Sequence, residues 1–287
     1  MPVFNAERFV GRAIRSILEQ TYADLELIVS DNASTDRTRE ICEEMARQDP
    51  RMRLVTNPSN IGAAANFNQV LTLSRGTYFK WACGDDWCAP MMVERCVAVL
   101  DANPDVVACF GRVQIVDEQG NPVRLHSDEL DLRTPDVRTR LRLAIGHGGL
   151  LHVLQGLMRA DVLKRIGHML AFYTSDVVLM AELALWGKFH EVDEPLLFRR
   201  MHPGAANAMT SSAERLAHLD PRRNARFHMV RSRRLWEHAR SVGRCPEGPV
   251  MKLRLWEVVL KSAYWARSDL VAEVAQAFGG IKRGRRA

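Results

Sequence analysis

Two adjacent carboxylates, Asp85 and Asp86, follow a mostly apolar run, Tyr78-Phe79-Lys80-Trp81-Ala82-Cys83, and the glycine Gly84. A run of this length predicts a strand, and Gly84 supplies a tight exit from it. In an open parallel sheet, ligands lie beyond the carboxyl ends of strands, so the pair stands where a site is expected. Adjacent acids repel unless a cation or hydrogen-bond donor separates them. A small number of hard oxygen ligands, with room for waters and phosphates, suits magnesium or manganese. The plain alternative is a solvated Asp-Asp turn. Further down the chain, Asp176 follows Ser175, and Arg199-Arg200-Met201-His202 closes an apolar run. An arginine there could bind phosphate.

The elements that must position these residues alternate in type. Met1–Asn5 reads as the end of a strand leading to a helix that Asn5 can cap and whose positive end Glu7 suits, with Val10, Ala13, Ile14, Ile17 and Leu18 at helical period. Leu25–Ser30 reads as a buried strand ending in the turn-rich Asp31–Asp36. A helix carrying Ile41, Cys42 and Met45, a strand over Arg53–Thr56, the loop Asn57–Gly62 and a helix burying Phe67, Val70 and Leu71 follow. After the acidic pair, a helix from near Pro90 places Val93, Cys96, Val97 and Leu100 on one face. This alternation predicts an α/β fold with a parallel sheet covered on both faces. Beyond it the reading is a strand over Val106–Val116, a turn, a helix ending at Ile145, a flexible Gly146–Gly149 stretch, and a strand over Val153–Met158. A helix capped by Thr174 or Ser175 and two short strands, Phe189–Val192 and Leu196–Met201, follow. The last eighty or so residues read as helices, with an apolar stripe of Leu253, Trp256, Val259, Leu260, Ala263 and Tyr264 and a frayed basic end over Ile281–Arg286.

Composition is that of a globular protein with a core: 287 residues, 47% hydrophobic and 26% charged. The charge is unevenly placed. Residues 205–287 hold 17 Lys+Arg and 7 Asp+Glu, a net +10, which leaves −4 on the remainder of a chain whose total is +6. Six cysteines without CxxC spacing read as free thiols of a reducing cytosol. No apolar run reaches the roughly 18 residues of a membrane span, and no signal peptide is visible. The basic tail reads as a solvated helical face or as a contact for an anionic membrane surface, through an amphipathic helix around Trp256. No nucleic-acid module is recognisable.

Taken together, Pro2-Val3-Phe4-Asn5, Gln20-Thr21-Tyr22, Leu27–Asp36, Asn60-Ile61-Gly62, Gly76-Thr77-Tyr78, Gly84-Asp85-Asp86, Ser175-Asp176, Glu194-Pro195-Leu196 and Arg200-Met201-His202 resemble the family 2 glycosyltransferases over roughly residues 1–204. The resemblance implies a GT-A fold: a Rossmann-like, mostly parallel sheet with helices on both faces. It also implies division into a nucleotide-sugar half (1–116), an acceptor half (117–204) and a basic helical extension (205–287). The implied activity is inverting transfer of a sugar from a nucleotide-diphosphate donor to a hydroxyl of a glycan or lipid-linked acceptor. The implied setting is cell-surface polysaccharide or glycolipid assembly, in the cytoplasm and at the inner face of the membrane.

By the same resemblance, Pro2, Phe4, Asn5, Glu7, Asn60, Gly62 and Arg200 belong to the donor pocket, and Asp31 meets the base. Asp85 reaches the ribose or a metal-bound water, Asp86 holds the divalent cation (Mn or Mg), His202 stands where some members place a metal or phosphate contact, and Asp176 is the catalytic base. Gly84 stands where the family often carries an acid, which concentrates metal holding on Asp86. The family's first strand is reduced here to Met1, from which the expectation is that the polypeptide begins upstream. Intact mass of the native protein tests that. Competing readings are a nucleotidyltransferase of similar fold, disfavoured because Pro2–Glu7 forms no Gly-rich basic loop, and a catalytically degenerate scaffold subunit. A dinucleotide oxidoreductase is disfavoured because no GxGxxG follows a strand.

Overall fold

The computed structural model describes residues 1–147, 151–167, 169–205, 208–221 and 229–284. The amino-terminal part is a β/α alternation: β1 (Pro2–Val3), α1 (Val10–Leu18), β2 (Leu27–Asp31), α2 (Thr38–Gln48), β3 (Met52–Thr56), α3 (Ala63–Leu73) and β4 (Tyr78–Phe79). Strands β1, β2 and β3 form a parallel sheet in that order, with Val3 opposite Asp31 and Asp31 opposite Thr56. All five β2 residues are buried. Ile28 joins a core with Val70 and Leu71 of α3, whereas Leu27 and Val29 join Val10, Ala13 and Ile14 of α1. Alternating side chains of one strand thus serve the two faces, as a sheet covered on both sides requires. The Met1 amino group donates to Ile28 O (2.7 Å), and burial lowers its pKa to about 5.

A second sheet follows, built on β6 (Val106–Val116) and β9 (Lys188–Arg200), which pair in parallel. Strands β4, β5 (Trp87–Cys88), β7 (Pro122–His126) and β8 (Leu157–Arg159) add to it in antiparallel fashion. Helices α4 (Met92–Ala102), α5 (Val137–Gly146), α6 (Ala160–Ile166) and α7 (Ser175–Trp186) cover it. The two short strands expected at Phe189–Val192 and Leu196–Met201 are one strand. Register shifts from Gly111 opposite Val192 to Arg112 opposite Pro195, so Asp193 and Glu194 bulge out beside a proline with no N–H for the ladder. A Cβ on Gly111 would lie 2.6 Å from Leu196 Cβ, so only glycine fits at this bulge.

Three other expectations are corrected. Residues Val153–Met158 do not form a strand: His152–Gln155 is a 3-10 turn, and β8 begins only at Leu157. Asn5 does not cap α1; its backbone is left-handed (φ 48°), and Ala6 O accepts the Phe9 and Val10 N–H groups instead. Neither Thr174 nor Ser175 caps α7: Thr174 is left-handed (φ 71°), and no side chain bonds the first turn as a cap.

The carboxyl-terminal residues form α8 (Ser212–Leu219), α9 (Val230–Arg244), α10 (Pro249–Trp265) and α11 (Arg267–Gly284). Ala239, Val242, Cys245, Leu255 and Val259 enter the same core as Leu141 of α5 and Leu183 of α7. Buried Glu182 of α7 accepts hydrogen bonds from Ser241 and from both Arg244 Nε and a terminal guanidinium nitrogen. Of the expected α10 stripe, only Val259 is buried; Leu253, Trp256, Leu260 and Tyr264 are exposed, because the helix docks through Leu255 and Val259, one turn apart. The expected glycine loop at Gly148 and Gly149 and the basic residues Arg285 and Arg286 lie outside the described residues. No described helix is long and apolar enough to cross a membrane.

Candidate active site

The ends of β2 and β3 and the residues after them line a cleft of about 440 Å³, with Asp31, Ser34, Arg39, Thr56, Asn57 and Pro58 on its walls. Asp31, the last residue of β2, is fully buried in its own strand, and its carboxylate accepts the Ser34 N–H at 3.3 and 3.4 Å. Beside it, Asn32 accepts the Ile61 N–H (2.9 Å) and donates to Asn60 Oδ1 (2.9 Å), which also accepts the Gly62 N–H (2.8 Å). Gly62 has φ +86°, and a Cβ there would lie 2.5 Å from Leu219 O, so the turn into α3 requires glycine. Asn60 and Gly62 therefore shape the loop beside the cleft.

The loop after β1 is laced to the loop after β2. Asn5 Oδ1 accepts the Thr35 N–H (2.9 Å), and the Asn5 N–H donates to Ser34 Oγ (2.9 Å). Glu7 Oε2 accepts the Arg37 N–H (2.9 Å) at the start of α2, so Glu7 complements the positive end of α2 rather than of α1. Phe4 is exposed at the tip, and Pro2 is buried in the ladder opposite Ser30.

The two adjacent acids diverge. Asp86 is buried; its Oδ1 accepts the Arg200 N–H (2.9 Å) and its Oδ2 accepts Gln155 Nε2 (2.7 Å). Burial, with the neighbouring charge of Asp85 as second cause, pushes its carboxyl up to about 6. Asp85 keeps 30% of its side chain exposed, and its Oδ2 stands 3.1 Å from His202 Nε2. Cys83, Asp85 and Asp86 bring ligand-type atoms within 4.8 Å of one another. A carboxylate oxygen and an imidazole nitrogen facing each other fit a divalent cation such as manganese.

The adjacent arginines diverge too. Arg200 is buried; its Nε donates to Asp85 O (3.2 Å), a terminal nitrogen donates to Glu118 O (2.5 Å), and the guanidinium lies over the rings of Phe9 (4.4 Å) and Trp87 (4.9 Å). It braces the strand end. Arg199 is half-buried and donates to His152 Nε2 (2.8 Å). A guanidinium can only donate, so His152 carries its proton on Nδ1 and donates it to Asp128 Oδ1 (2.7 Å). Burial lowers the His152 pKa, which keeps the ring neutral. His126, Asp128 and His152 form a second group with ligand spacing, but the Arg199 cation already occupies the outer nitrogen of His152.

Asp176 sits in the first turn of α7, half-buried, and its Oδ1 accepts the Val177 N–H (2.9 Å). Burial raises its pKa above the ordinary carboxylate value. The 3-10 turn His152–Gln155 packs against α7 on one side and holds Asp86 through Gln155 on the other. Gln155 escaped the sequence reading, as did the linkage of Arg199, a candidate phosphate binder, to His152 and Asp128. Their one signal was Arg199-Arg200 itself, since neighbours on a strand point to opposite faces.

Comparison with known proteins adds the following. The family model for glycosyl transferase family 2 matches residues 1–166. An uncharacterized glycosyltransferase of Haemophilus influenzae is 28% identical over 206 residues, covering 69% of this chain and 63% of the relative. The uncharacterized glycosyltransferase EpsJ of Bacillus subtilis is 29% identical over 167 residues, covering 58% and 48%. The chain thus spans about half to two thirds of the length of these relatives. Among solved structures, S. aureus TarS with UDP-GlcNAc superposes with a TM-score of 0.68 at 14% identity, over 98% of this chain and 80% of that one. The mannosyltransferase PcManGT from Pyrobaculum calidifontis, with GDP-Man and Mn2+, superposes with a TM-score of 0.53 at 18% identity, over 97% and 73%. The α/β architecture is therefore that of the GT-A glycosyltransferases.

Proposed function

The chain belongs to glycosyl transferase family 2, and on that premise we propose that it moves a sugar from a nucleotide-diphosphate donor to an acceptor hydroxyl, with inversion, in building a cell-surface polysaccharide or glycolipid. The observation that carries this reading is Asp85 facing His202 at 3.1 Å, just after Gly84, which packs on Val3, the ladder partner of Asp31. The nucleotides bound by the TarS and PcManGT structures support a nucleoside diphosphate sugar as donor class.

In this reading Asp31 accepts from the base, and the loops fixed by Asn5, Glu7, Asn60 and Gly62 hold the cleft open around the nucleoside. Asp85 and His202 hold a manganese or magnesium ion, which when bound supplies Lewis-acid stabilisation of the pyrophosphate charge. Asp86 does not compete for it. By accepting from Gln155 and the Arg200 backbone it fixes the direction of Asp85. Arg199, aimed by His152, has further N–H donors for the leaving phosphates. Asp176, with a pKa raised by burial, takes the acceptor proton as attack proceeds. A single displacement of this kind inverts the sugar carbon.

The test is release of nucleoside diphosphate from a panel of nucleotide sugars, with and without manganese, alongside thermal shift. Metal-dependent release, with stabilisation by the donor that is consumed, is expected. No release and no stabilisation by any donor would leave the scaffold reading.

A further inference from the structure

Helix α10 has two apolar faces. Leu255 and Val259 point into the core, and the helix packs against α5 and α9. On another face, Leu253, Trp256, Leu260 and Tyr264 fall at i, i+3, i+7 and i+11, one stripe of the helix surface. All four are exposed, Leu253 at 72% and Leu260 at 63%, and Trp265 ends the helix at 78%. Burial in the core explains the first face and leaves the second exposed among the described residues. Large apolar stripes of this kind mark interaction surfaces.

The flanks say which partner. Arg254 and Lys261 border the stripe, and the Arg267 guanidinium lies 4.3 Å over the Tyr264 ring at its end. The one acid beside the stripe, Glu257, is paired with Lys261 (2.6 Å) and approached by Arg138 (3.5 Å). Residues 205–287 carry 17 basic and 7 acidic side chains, a net +10. Leucines flanked by cations, with Trp and Tyr at the margin, are the composition of a helix lying in a lipid interface. A second copy fits less well, because a two-fold contact would set Arg254 and Lys261 against their own equivalents.

We propose that the outward face of α10 docks the protein onto an anionic bilayer surface, with Leu253, Trp256 and Leu260 in the interface and the flanking cations on the headgroups. No described helix is long and apolar enough to cross the bilayer. This contact is independent of the transfer chemistry and stands or falls separately from it.

The test is vesicle flotation of the full chain, with tryptophan emission recorded, using phosphatidylcholine alone and phosphatidylcholine mixed with phosphatidylglycerol. Binding to the mixed vesicles only, with a blue shift and weakening by salt, is expected. The double variant Leu253→Ser, Leu260→Ser, shown by melting temperature to be folded, is expected to partition about tenfold less or weaker still. The variant Arg254→Glu, Lys261→Glu keeps the apolar stripe and is expected to lose the preference for the anionic mixture. No flotation with either vesicle, or equal flotation by all variants, overturns the proposal. So does sedimentation showing a lipid-free dimer that the serine variant dissociates, which would assign the face to a second copy.

Discussion

His202 Nε2 faces Asp85 Oδ2 at 3.1 Å, while neighbouring Asp86 turns inward and gives both its oxygens to protein donors. The pair of acids therefore divides into an outward and an inward member. The sequence expectation made Asp86, with His202, the metal holder; the proposal here gives that role to Asp85 with His202 and makes Asp86 the residue that sets their direction. Gln155 makes the division robust. Among the described residues its Oε1 is buried without a partner, so its amide can turn over and donate or accept as Asp86 requires.

The two arginines should separate in the same way. Arg200→Ala removes two hydrogen bonds to backbone carbonyls and the contacts with Phe9 and Trp87. It should lower stability by about 2–4 kcal/mol in urea unfolding. Arg199→Ala leaves His152 Nε2 without its donor and should lower stability by less than Arg200→Ala does, while weakening donor binding about tenfold or more, as loss of a charge-assisted contact implies. The opposite pattern would exchange their roles.

Asp176→Asn should keep metal-dependent donor binding and lower transfer by about 10²–10⁴-fold, the usual contribution of a positioned base. In the native enzyme, burial places the Asp176 pKa above the ordinary carboxylate value, so activity should fall as pH drops through that raised pKa. Turnover retained in the variant would move the base elsewhere.

Stability should be acid-sensitive through His238. Its ring in α9 is fully buried, neither nitrogen is bonded among the described residues, and burial, aided by Arg234, lowers its pKa to about 3. The unfolded chain binds a proton near the ordinary value of 6.5 and the folded chain does not, so stability is lost as pH falls from about 6.5 towards 3. The loss sums to roughly 4–5 kcal/mol by linkage. His238→Leu should flatten this part of the stability profile in urea titrations from pH 7 to pH 5, and an unchanged slope would contradict the assignment.

Much of the fold was legible because periodicity and burial agree. Val106–Val116 was read to the residue, and Val10, Ala13, Ile14 and Ile17 face the core as their spacing required. Asp31 was placed at a strand end by the turn residues after it. The misses share one cause, a partner distant in sequence. The apolar run after Tyr78 leaves the ladder after Phe79, and the indole of Trp81 donates to Phe67 O. Nothing local separates Asp85 from Asp86; Gln155 and the Arg200 N–H choose between them. On α10, two apolar stripes were available, and contact with α5 and α9 selected the narrower one.

The central claim is that Asp85 and His202, rather than Asp86, hold the cation. Calorimetric titration of manganese, in the presence of the nucleoside diphosphate that stabilises the protein, tests it directly in Asp85→Asn and Asp86→Asn. The account predicts that Asp85→Asn weakens manganese binding on the order of 100-fold while Asp86→Asn, with Gln155 turned over, stays within about tenfold of the native protein. Loss of binding in Asp86→Asn with native affinity in Asp85→Asn would contradict it.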